Sequence, residues 1–172
     1  VLEYSDFQCP FCKRVQLTLE KIRKKYSDEV QFGYRHFPLP FHKEAQGLAQ
    51  AVECARDQGK FWELQSLFYK NISNSANDKE VLGMAKRAGI DSIRDFEFCW
   101  RNGKYAERVK NDIRAGIDLG IQGTPTFILG IYDQETQTVS GEMFSGAVSE
   151  EKFAQVIEKY LSSIRTEANL SR

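Results

Sequence analysis

Two cysteines separated by two residues stand where a short extended run meets the start of a helical pattern, in the segment QCPFCKR at positions 8–14. The preceding residues, VLEYS at positions 1–5, have the composition of a strand, and apolar side chains recur every three or four positions after the pair. A proline directly after the first cysteine suits the first turn of a helix, where a missing N–H is tolerated. The pattern therefore predicts a strand, then a helix, with Cys9 at the start of that helix.

A Cys-x-x-Cys pair has three common uses: half of a zinc site, a structural cross-link, or a redox pair. Zinc needs four ligands, and the other two cysteines and the two histidines form no second close pair in this sequence. A purely structural bond across two residues closes a very small loop and removes little entropy from the unfolded chain. The redox use is favoured over these two alternatives, and we expect no metal site and no cofactor.

The two thiols are expected to differ because they hold different places on the helix. Thiol exchange requires a thiolate, and the free N–H groups and the dipole of a helix N-terminus stabilise one. Cys9 lies at that terminus and is expected to be exposed, so it is the predicted nucleophile. Cys12 lies one turn further along, on the apolar stripe, and is the predicted resolving thiol.

A long helical region separates two extended regions. VQFGYRHF at 30–37 predicts a second strand and completes a βαβ unit, and residues 43–120 have almost wholly helical spacing. IQGTPTFILGIY and TVSGEMFSG predict a hairpin, and a last helix begins at Ser149, a good N-cap. The expected fold class is α/β, a thioredoxin-like fold with an all-helical insertion between the βαβ unit and the C-terminal ββα unit.

These patterns also predict the division of the chain. The 172 residues suit one domain with an inserted subdomain. We expect a discontinuous thioredoxin-like domain over residues 1–42 and 121–165, a helical insertion subdomain over 43–120, and a flexible tail over 166–172.

Charge and hydropathy exclude some classes of function. Lysine plus arginine equals aspartate plus glutamate, 24 of each, so no overall field attracts nucleic acid, and no nucleic-acid partner is expected. No apolar run reaches the roughly 20 residues that span a bilayer. The first residues, VLEYSDF, lack the basic start and apolar stretch of a signal peptide, so any targeting segment is expected to lie outside this sequence.

The chain resembles a known family in three segments. EYSDFQCPFC, CARDQGKFWELQSLFY and KYAERVKNDIRAGIDLGIQGTPTFILG resemble the DsbA family of thiol:disulfide oxidoreductases, in its broad DsbA-like bacterial branch. The likeness covers nearly the whole chain. It implies a thioredoxin fold with a helical insertion, a location in the periplasm or at the cell surface, and disulfide exchange with cysteine-containing protein substrates. It also implies a redox partner, which we expect to be membrane-bound.

The resemblance implies roles for single positions. It places the nucleophile at Cys9, the resolving cysteine at Cys12 and a cis-proline at Pro125; a trans proline that merely starts a strand is the alternative. Thr124 is then expected to face the cysteine pair. The expected substrate-binding residues are Thr124, Pro125, Pro10 and Phe11.

Glu3 lies six residues before Cys9, in the first predicted strand. A buried acid with a raised pKa there can exchange protons with Cys12, and the family has an acid at the matching place. An edge glutamate in water is the alternative. One feature departs from the family: the dipeptide between the cysteines is Pro-Phe and lacks the histidine of its best-known oxidases. The direction of exchange is therefore left open.

Cys54 and Cys99 both fall within the predicted insertion. Some relatives in the family carry a disulfide in this subdomain, so a Cys54–Cys99 bond is expected. Two buried free thiols are the alternative, since cysteine also packs as a small apolar residue.

Three functions fit these observations. The leading hypothesis is a dithiol oxidase that donates the Cys9–Cys12 disulfide to exported proteins. The second is a disulfide reductase or isomerase kept reduced by a membrane partner. The third is a peptide-binding or chaperone module whose cysteine pair stays oxidised. The reduction potential separates the first two, and a turnover assay separates both from the third.

Overall fold

The computed structural model describes residues 1–73 and 75–170. Along this part of the chain, a strand, a helix and a strand come first, five helices follow, and two strands and a last helix come at the end. The elements are β1 (Leu2–Ser5), α1 (Pro10–Lys25), β2 (Gly33–His36), α2 (Ala45–Arg56), α3 (Phe61–Asn71), α4 (Asp78–Arg87), α5 (Ile93–Arg101), α6 (Ala106–Asp118), β3 (Thr126–Asp133), β4 (Thr138–Ser145) and α7 (Glu150–Leu170). The α/β class with an all-helical insertion is confirmed.

The strands form one sheet in the order β2-β1-β3-β4. β1 pairs in parallel with β2, where Glu3 lies opposite Tyr34, and antiparallel with β3, where Tyr4 lies opposite Thr126. A parallel pair needs a crossover connection, which α1 provides. β1 is an inner strand of the sheet. The segment that follows it therefore begins at the ends of the central strands. The cysteine motif is that segment.

Helices α1 and α7 pack with β3 in one apolar cluster. Its members include Val15, Leu19 and Ile22 of α1, Phe127 of β3 and Phe153 of α7. Each of these side chains is at most 1% exposed. Full burial of such a side chain contributes roughly 1.5–3 kcal/mol to folding. The helix that carries the cysteine motif is therefore anchored through about two turns of its apolar stripe.

Helices α2 to α6 form the insertion predicted between residues 43 and 120, and no strand interrupts them in the described part of that interval. Their core includes Leu48 of α2, Leu64 and Phe68 of α3, and Phe96 of α5. Phe7 and Cys12, from the cysteine motif and the turn before it, belong to the same cluster. The insertion thus packs directly against the motif.

A disulfide joins Cys54 of α2 to Cys99 of α5, with Cα atoms 5.9 Å apart and both residues buried. The bond connects two helices that already share one apolar core. The residues are 45 positions apart in sequence. Loop-closure entropy for a loop of that length corresponds to about 4 kcal/mol of stabilisation.

A buried charged cluster ties the insertion to β2. Glu53 of α2 is buried and accepts hydrogen bonds from His36 Nε2 at 2.9 Å and Arg56 Nε at 2.8 Å, and Arg108 Nε also lies 2.8 Å away. Burial is the largest single influence and raises the pKa of Glu53, but the hydrogen bonds and charges of His36 and Arg56 together lower it to about 2. The carboxylate therefore stays ionised and links β2, α2 and α6.

Helix α6 approaches the end of β2 closely at Gly116. A Cβ atom at this position would lie 2.6 Å from Cε2 of Phe37, so only glycine fits without a shift of that ring. One turn before, Asp112 accepts a hydrogen bond from Arg35 Nη1 of β2 at 2.7 Å. The close approach that Gly116 allows and the ion pair between Arg35 and Asp112 together place α6 against β2.

Helix α7 extends further than the sequence predicts. It starts directly after Ser149, whose hydroxyl accepts a hydrogen bond from the Lys152 N–H at 3.3 Å, as expected of an N-cap. It continues to Leu170, whereas the sequence predicts a flexible tail over 166–172. The residues from 150 to 170 include no glycine or proline, so no helix breaker occurs at residue 166. The rest of that predicted tail, residues 171 and 172, lies outside the described residues.

None of the helices in the described part of the chain combines the length and the apolar composition needed to cross a membrane.

Candidate active site

The cysteine pair lies at the N-terminus of α1. Cys9 is the N-cap residue, with an extended backbone at φ −76° and ψ 120°, and Pro10 occupies the first helical turn. Cys12 lies one turn further along and is fully buried. The N–H groups of the first turn are unpaired within the helix and favour negative charge at its start. The structure therefore puts Cys9 where the sequence pattern predicts it.

Cys9 is less exposed than predicted. Only 4% of the residue is accessible, so the expectation of an exposed sulfur is wrong. Cys9 belongs to the same apolar cluster as Phe7, and its sulfur lies 3.3 Å from the Thr124 carbonyl oxygen, to which the protonated thiol donates a hydrogen bond. The segment before β3 therefore covers it, which the spacing around Cys9 cannot indicate. A cleft of about 360 Å³ still opens beside Cys9, with Tyr69 on its wall.

The two thiols have opposite pKa shifts. A hydrogen bond from the Cys12 thiol is the largest influence on Cys9; the Thr124 hydroxyl and the N–H groups of Cys12 and Phe11 add to it. Together they outweigh burial and lower the pKa of Cys9 to about 5. Burial, followed by the adjacent Cys9 sulfur, raises the pKa of Cys12 well above its ordinary value. At neutral pH Cys9 is therefore a thiolate, the reactive form, and Cys12 is a thiol.

The segment before β3 lies against Cys9. The Thr124–Pro125 peptide bond is cis, as the resemblance implies. The Thr124 hydroxyl oxygen is buried and is committed to no other residue in the described part of the chain, so its proton is available to the Cys9 thiolate, whose pKa it lowers. The Pro125 carbonyl accepts a hydrogen bond from the Gly146 N–H at 2.8 Å, which ties this segment to the end of β4. The structure thus brings Thr124 to Cys9, with Pro125 adjacent in the chain.

Both residues between the cysteines are exposed. Pro10 lies at the surface, and the Phe11 side chain is 50% exposed, with the Arg14 guanidinium 4.7 Å from its ring centroid. Phe41, which the sequence reasoning missed, is 73% exposed and lines a surface cavity together with Pro10. These apolar side chains are accessible for contact with a polypeptide.

Glu3 is buried in β1, 2% exposed, and is not an edge residue in water. Gln16 Nε2 donates hydrogen bonds to Glu3 Oε1 at 2.9 Å and to the Cys12 carbonyl at 3.2 Å. The Arg23 guanidinium lies 3.7 Å from the other carboxyl oxygen. Burial raises the pKa of Glu3 against the opposing effect of Arg23. One amide side chain therefore connects the acid to the helical turn that carries Cys12.

A chain of hydroxyl groups near Cys12 was missed by the sequence reasoning. The Tyr34 and Tyr69 hydroxyls are 2.6 Å apart, and the Tyr69 hydroxyl donates to Ser5 Oγ at 2.7 Å. Burial raises the pKa of both tyrosines, so their hydroxyls stay protonated. A hydrogen bond from Ser5 counteracts part of the raised pKa of Cys12. These residues belong to β2, α3 and β1, and no spacing within one segment links them.

Asp6 orders the turn between β1 and α1. Its carboxylate is buried and accepts hydrogen bonds from the N–H groups of Gln8 at 2.7 Å and Leu39 at 2.8 Å. His42 Nδ1 lies 2.7 Å from the same carboxylate. The bond to Gln8 is a local Asx turn, which an aspartate three residues before the helix N-cap could have indicated.

The described residues include no group of three or more histidine, cysteine, aspartate or glutamate side chains arranged to hold a metal ion.

Sequence comparisons find relatives of much greater length. The Na⁺/H⁺ antiporters NhaA 1 of Salinispora arenicola and of Mycolicibacterium vanbaalenii are 34% and 33% identical to this chain over 131 and 135 residues. These matches cover 75% and 76% of this chain but only 20% and 22% of the antiporters. The chain therefore spans about a fifth of the curated relatives it matches, and the name antiporter describes those longer proteins.

Structural comparisons find the same architecture in solved structures of other proteins. α-DsbA1 of Wolbachia pipientis is 21% identical with a TM-score of 0.79, and the match covers 97% of this chain and 87% of that one. The catalytic domain of Proteus mirabilis ScsC is 22% identical with a TM-score of 0.70, covering 94% and 82%. A family model described as thioredoxin matches residues 1–159. The chain therefore belongs to the thioredoxin family, in the DsbA-like form of its fold.

Proposed function

We propose that this chain is a thiol:disulfide oxidoreductase that transfers the Cys9–Cys12 disulfide to cysteine-containing proteins, acting as a dithiol oxidase. One observation carries the proposal: a thiolate with a pKa of about 5 at Cys9 lies next to a buried thiol at Cys12 whose pKa is raised. That asymmetry gives each sulfur one role in exchange.

Exchange starts from the oxidised pair. A substrate thiolate attacks the Cys9 sulfur, the Cys9–Cys12 bond breaks, and Cys12 leaves and takes up a proton. A second substrate thiolate then attacks the substrate sulfur of the mixed disulfide, and Cys9 leaves as a thiolate. Two electrons pass from the substrate, which gains a disulfide, to the protein, which becomes a dithiol. The low pKa of Cys9 makes it a good leaving group.

Glu3 supplies the proton that Cys12 needs on leaving. Its raised pKa favours the protonated acid, and the Gln16 side chain lies between it and the helical turn of Cys12. A buried thiolate at Cys12 would otherwise remain without charge compensation. When the pair is oxidised again, the proton returns to the acid.

The substrate lies against Thr124 and Pro125 on one side of Cys9, and Pro10 and Phe11 on the other. The exposed Phe11 ring and the cleft beside Cys9 support this placement. An extended peptide can pair with free backbone groups and place its side chains against exposed apolar ones. Recognition through the backbone fits a substrate class defined by cysteine rather than by one sequence.

The same chemistry supports the proposed direction of exchange and the proposed location. Stabilisation of the Cys9 thiolate favours the reduced protein, and a stable reduced form makes the disulfide a stronger oxidant. A disulfide between Cys54 and Cys99 fits an oxidising, extracytoplasmic compartment. Continued turnover requires an acceptor for two electrons, which we propose is a membrane-bound redox partner.

Two measurements test the proposal. Equilibration with glutathione gives the reduction potential, expected to be more oxidising than about −200 mV, on the oxidising side of thioredoxin. Oxidised protein is also expected to speed the oxidative refolding of a reduced substrate protein. A potential near that of thioredoxin would indicate a reductase or isomerase instead. A protein that turns over no substrate would be a peptide-binding module.

A further inference from the structure

A cavity between α1 and α3 lies to one side of the cysteine pair, and its lining includes Gln16, Arg23 and Tyr69, which also contact the surroundings of Glu3 and Cys12. Its volume is about 760 Å³, which is within the range of small-molecule sites. Leu17 of α1, Trp62 of α3 and Phe32, which follows α1, form its apolar wall. Leu17 is 68% exposed and Trp62 is 42% exposed, so this wall faces solvent without a covering element.

The cavity also contains hydrogen-bond donors without acceptors. Gln65 is 2% exposed, and its Nε2 has no hydrogen-bond partner among the residues that the structure describes. The same holds for Nε of Arg23, a second lining residue. Native proteins leave few buried donors unpaired, and each one requires an explanation such as a bound group. Both unpaired groups are hydrogen-bond donors, so a ligand that binds them must offer hydrogen-bond acceptors.

The charge around these donors favours an anion. The cationic side chains that line the cavity are Lys13, Arg14, Arg23 and Lys70, and the acidic one is Glu20. Lys70 lies 3.3 Å from Glu20, and the Arg23 guanidinium lies 3.7 Å from Glu3, so Lys13 and Arg14 leave the cavity with an excess of positive charge. The Arg23 guanidinium lies 5.0 Å from the ring centroid of Trp62 and 5.7 Å from that of Phe32. Cationic and aromatic groups therefore lie side by side in the cavity. A ligand that carries both a carboxylate and an apolar group can contact both.

We propose that this cavity binds a small organic carboxylate with a flat apolar body. The carboxylate accepts hydrogen bonds from Gln65 Nε2 and Arg23 Nε, as planar donor groups prefer. The apolar body lies against Trp62, Phe32 and Leu17. The bound carboxylate takes no part in disulfide transfer itself, so its binding can be tested whether or not the proposed oxidase activity is correct.

Isothermal titration calorimetry of the whole chain tests this, with 4-phenylbutyrate as the probe and 4-phenylbutyramide as its uncharged match. We expect the carboxylate to bind about tenfold more tightly than the amide, the loss expected for one charge-assisted hydrogen bond. Gln65→Leu should weaken carboxylate binding by a similar factor, and Trp62→Ala should weaken both probes. Gln155→Leu, the same exchange on the exposed surface of α7, should bind both probes like the unmodified chain.

Several outcomes would overturn the proposal. One is no heat of binding for phenylbutyrate at millimolar concentration. Another is equal affinity for the acid and the amide, which would show that the negative charge of the ligand does not contribute to binding. A Gln65→Leu protein that unfolds like the unmodified chain and binds phenylbutyrate equally well would also contradict it. The comparison of the two probes on the unmodified chain needs no variant, so misfolding of a variant cannot hide the answer.

Discussion

The sulfur of Cys9 lies 3.3 Å from the carbonyl oxygen of Thr124, which is 115 residues further along the chain. Sheet register explains the contact. β1 and β3 are antiparallel neighbours, and Tyr4, near the end of β1, lies opposite Thr126, the first residue of β3. The segment that follows β1 and the segment that precedes β3 therefore meet at the same end of these two strands. The nucleophile and the proposed peptide-binding residues come from those two segments.

Substitution of each cysteine should separate their roles. Cys12→Ser is expected to accumulate mixed disulfides between Cys9 and substrate proteins, because the resolving thiol is gone. Cys9→Ser is expected to trap almost none, since the sulfur with the low pKa is removed. Non-reducing electrophoresis of each variant after reaction with a cysteine-containing substrate gives the answer. Equal trapping by both variants would contradict the assignment.

Glu3→Gln should slow the release of Cys12. The variant keeps the acceptor for Gln16 but loses the proton, and loss of a general acid typically costs about a hundredfold in rate. Stopped-flow mixing of oxidised protein with a reduced peptide at neutral pH measures the step. Glu20→Gln, an exposed change on α1, should react like the unmodified chain. A Glu3→Gln rate equal to the control would remove Glu3 from the mechanism.

The raised pKa of Glu3 also has a consequence for stability. A carboxyl whose pKa is raised in the folded state contributes stability that is complete below its unfolded value of 4.5 and is lost as pH rises through the folded value. Glu3→Gln should therefore gain stability relative to the unmodified chain as pH increases above about 4.5. Urea unfolding at a series of pH values measures the difference.

Glu53 should have the opposite dependence on pH. Its pKa falls from 4.5 to about 2 on folding, so its contribution is complete above 4.5 and is lost as pH falls through about 2. Glu53→Gln should lower the free energy of unfolding at neutral pH by about 3 kcal/mol, because two arginines and His36 lose their partner. The difference should shrink between pH 4.5 and 2. Glu107→Gln, which affects an exposed pair with Lys110, should leave the urea midpoint unchanged.

The Cys54–Cys99 bond should be intact in protein from an oxidising compartment. Mass mapping of peptides without reduction is expected to find the two residues joined. Replacing both with alanine should lower the free energy of unfolding by about 2–4 kcal/mol, because the unfolded chain gains the entropy of the opened loop. Two free thiols in such a preparation would contradict the assignment.

Local patterns predict most of the fold. The change from strand-like to helical spacing and back identifies α1 and the five insertion helices, because helix periodicity is a property of a single segment. Strand length is less local. The sequence predicts a strand over 30–37, but β2 spans only Gly33–His36, since its partner β1 offers four residues for pairing.

The site is predictable only in part, for the same reason. The helix position of Cys9 and the burial of Cys12 follow from adjacent residues. Other features of the site depend on elements that are far apart in sequence. They are the contact of Thr124 with Cys9, the hydroxyl chain from Tyr34 to Ser5, and the unpaired donor of Gln65. No spacing indicates contacts of this kind, and only the packing of the insertion against the sheet creates them.

The most direct test of the account is alkylation of the reduced protein by iodoacetamide across the acidic and neutral range, with mass mapping of the modified cysteine. Iodoacetamide reacts with thiolates, so the pH dependence of the rate reports the pKa of each sulfur. We predict modification of Cys9 with a midpoint at about pH 5 and no comparable reaction at Cys12. Faster modification of Cys12, or a Cys9 that reacts only near the ordinary thiol pKa of about 8.5, would contradict the central claim.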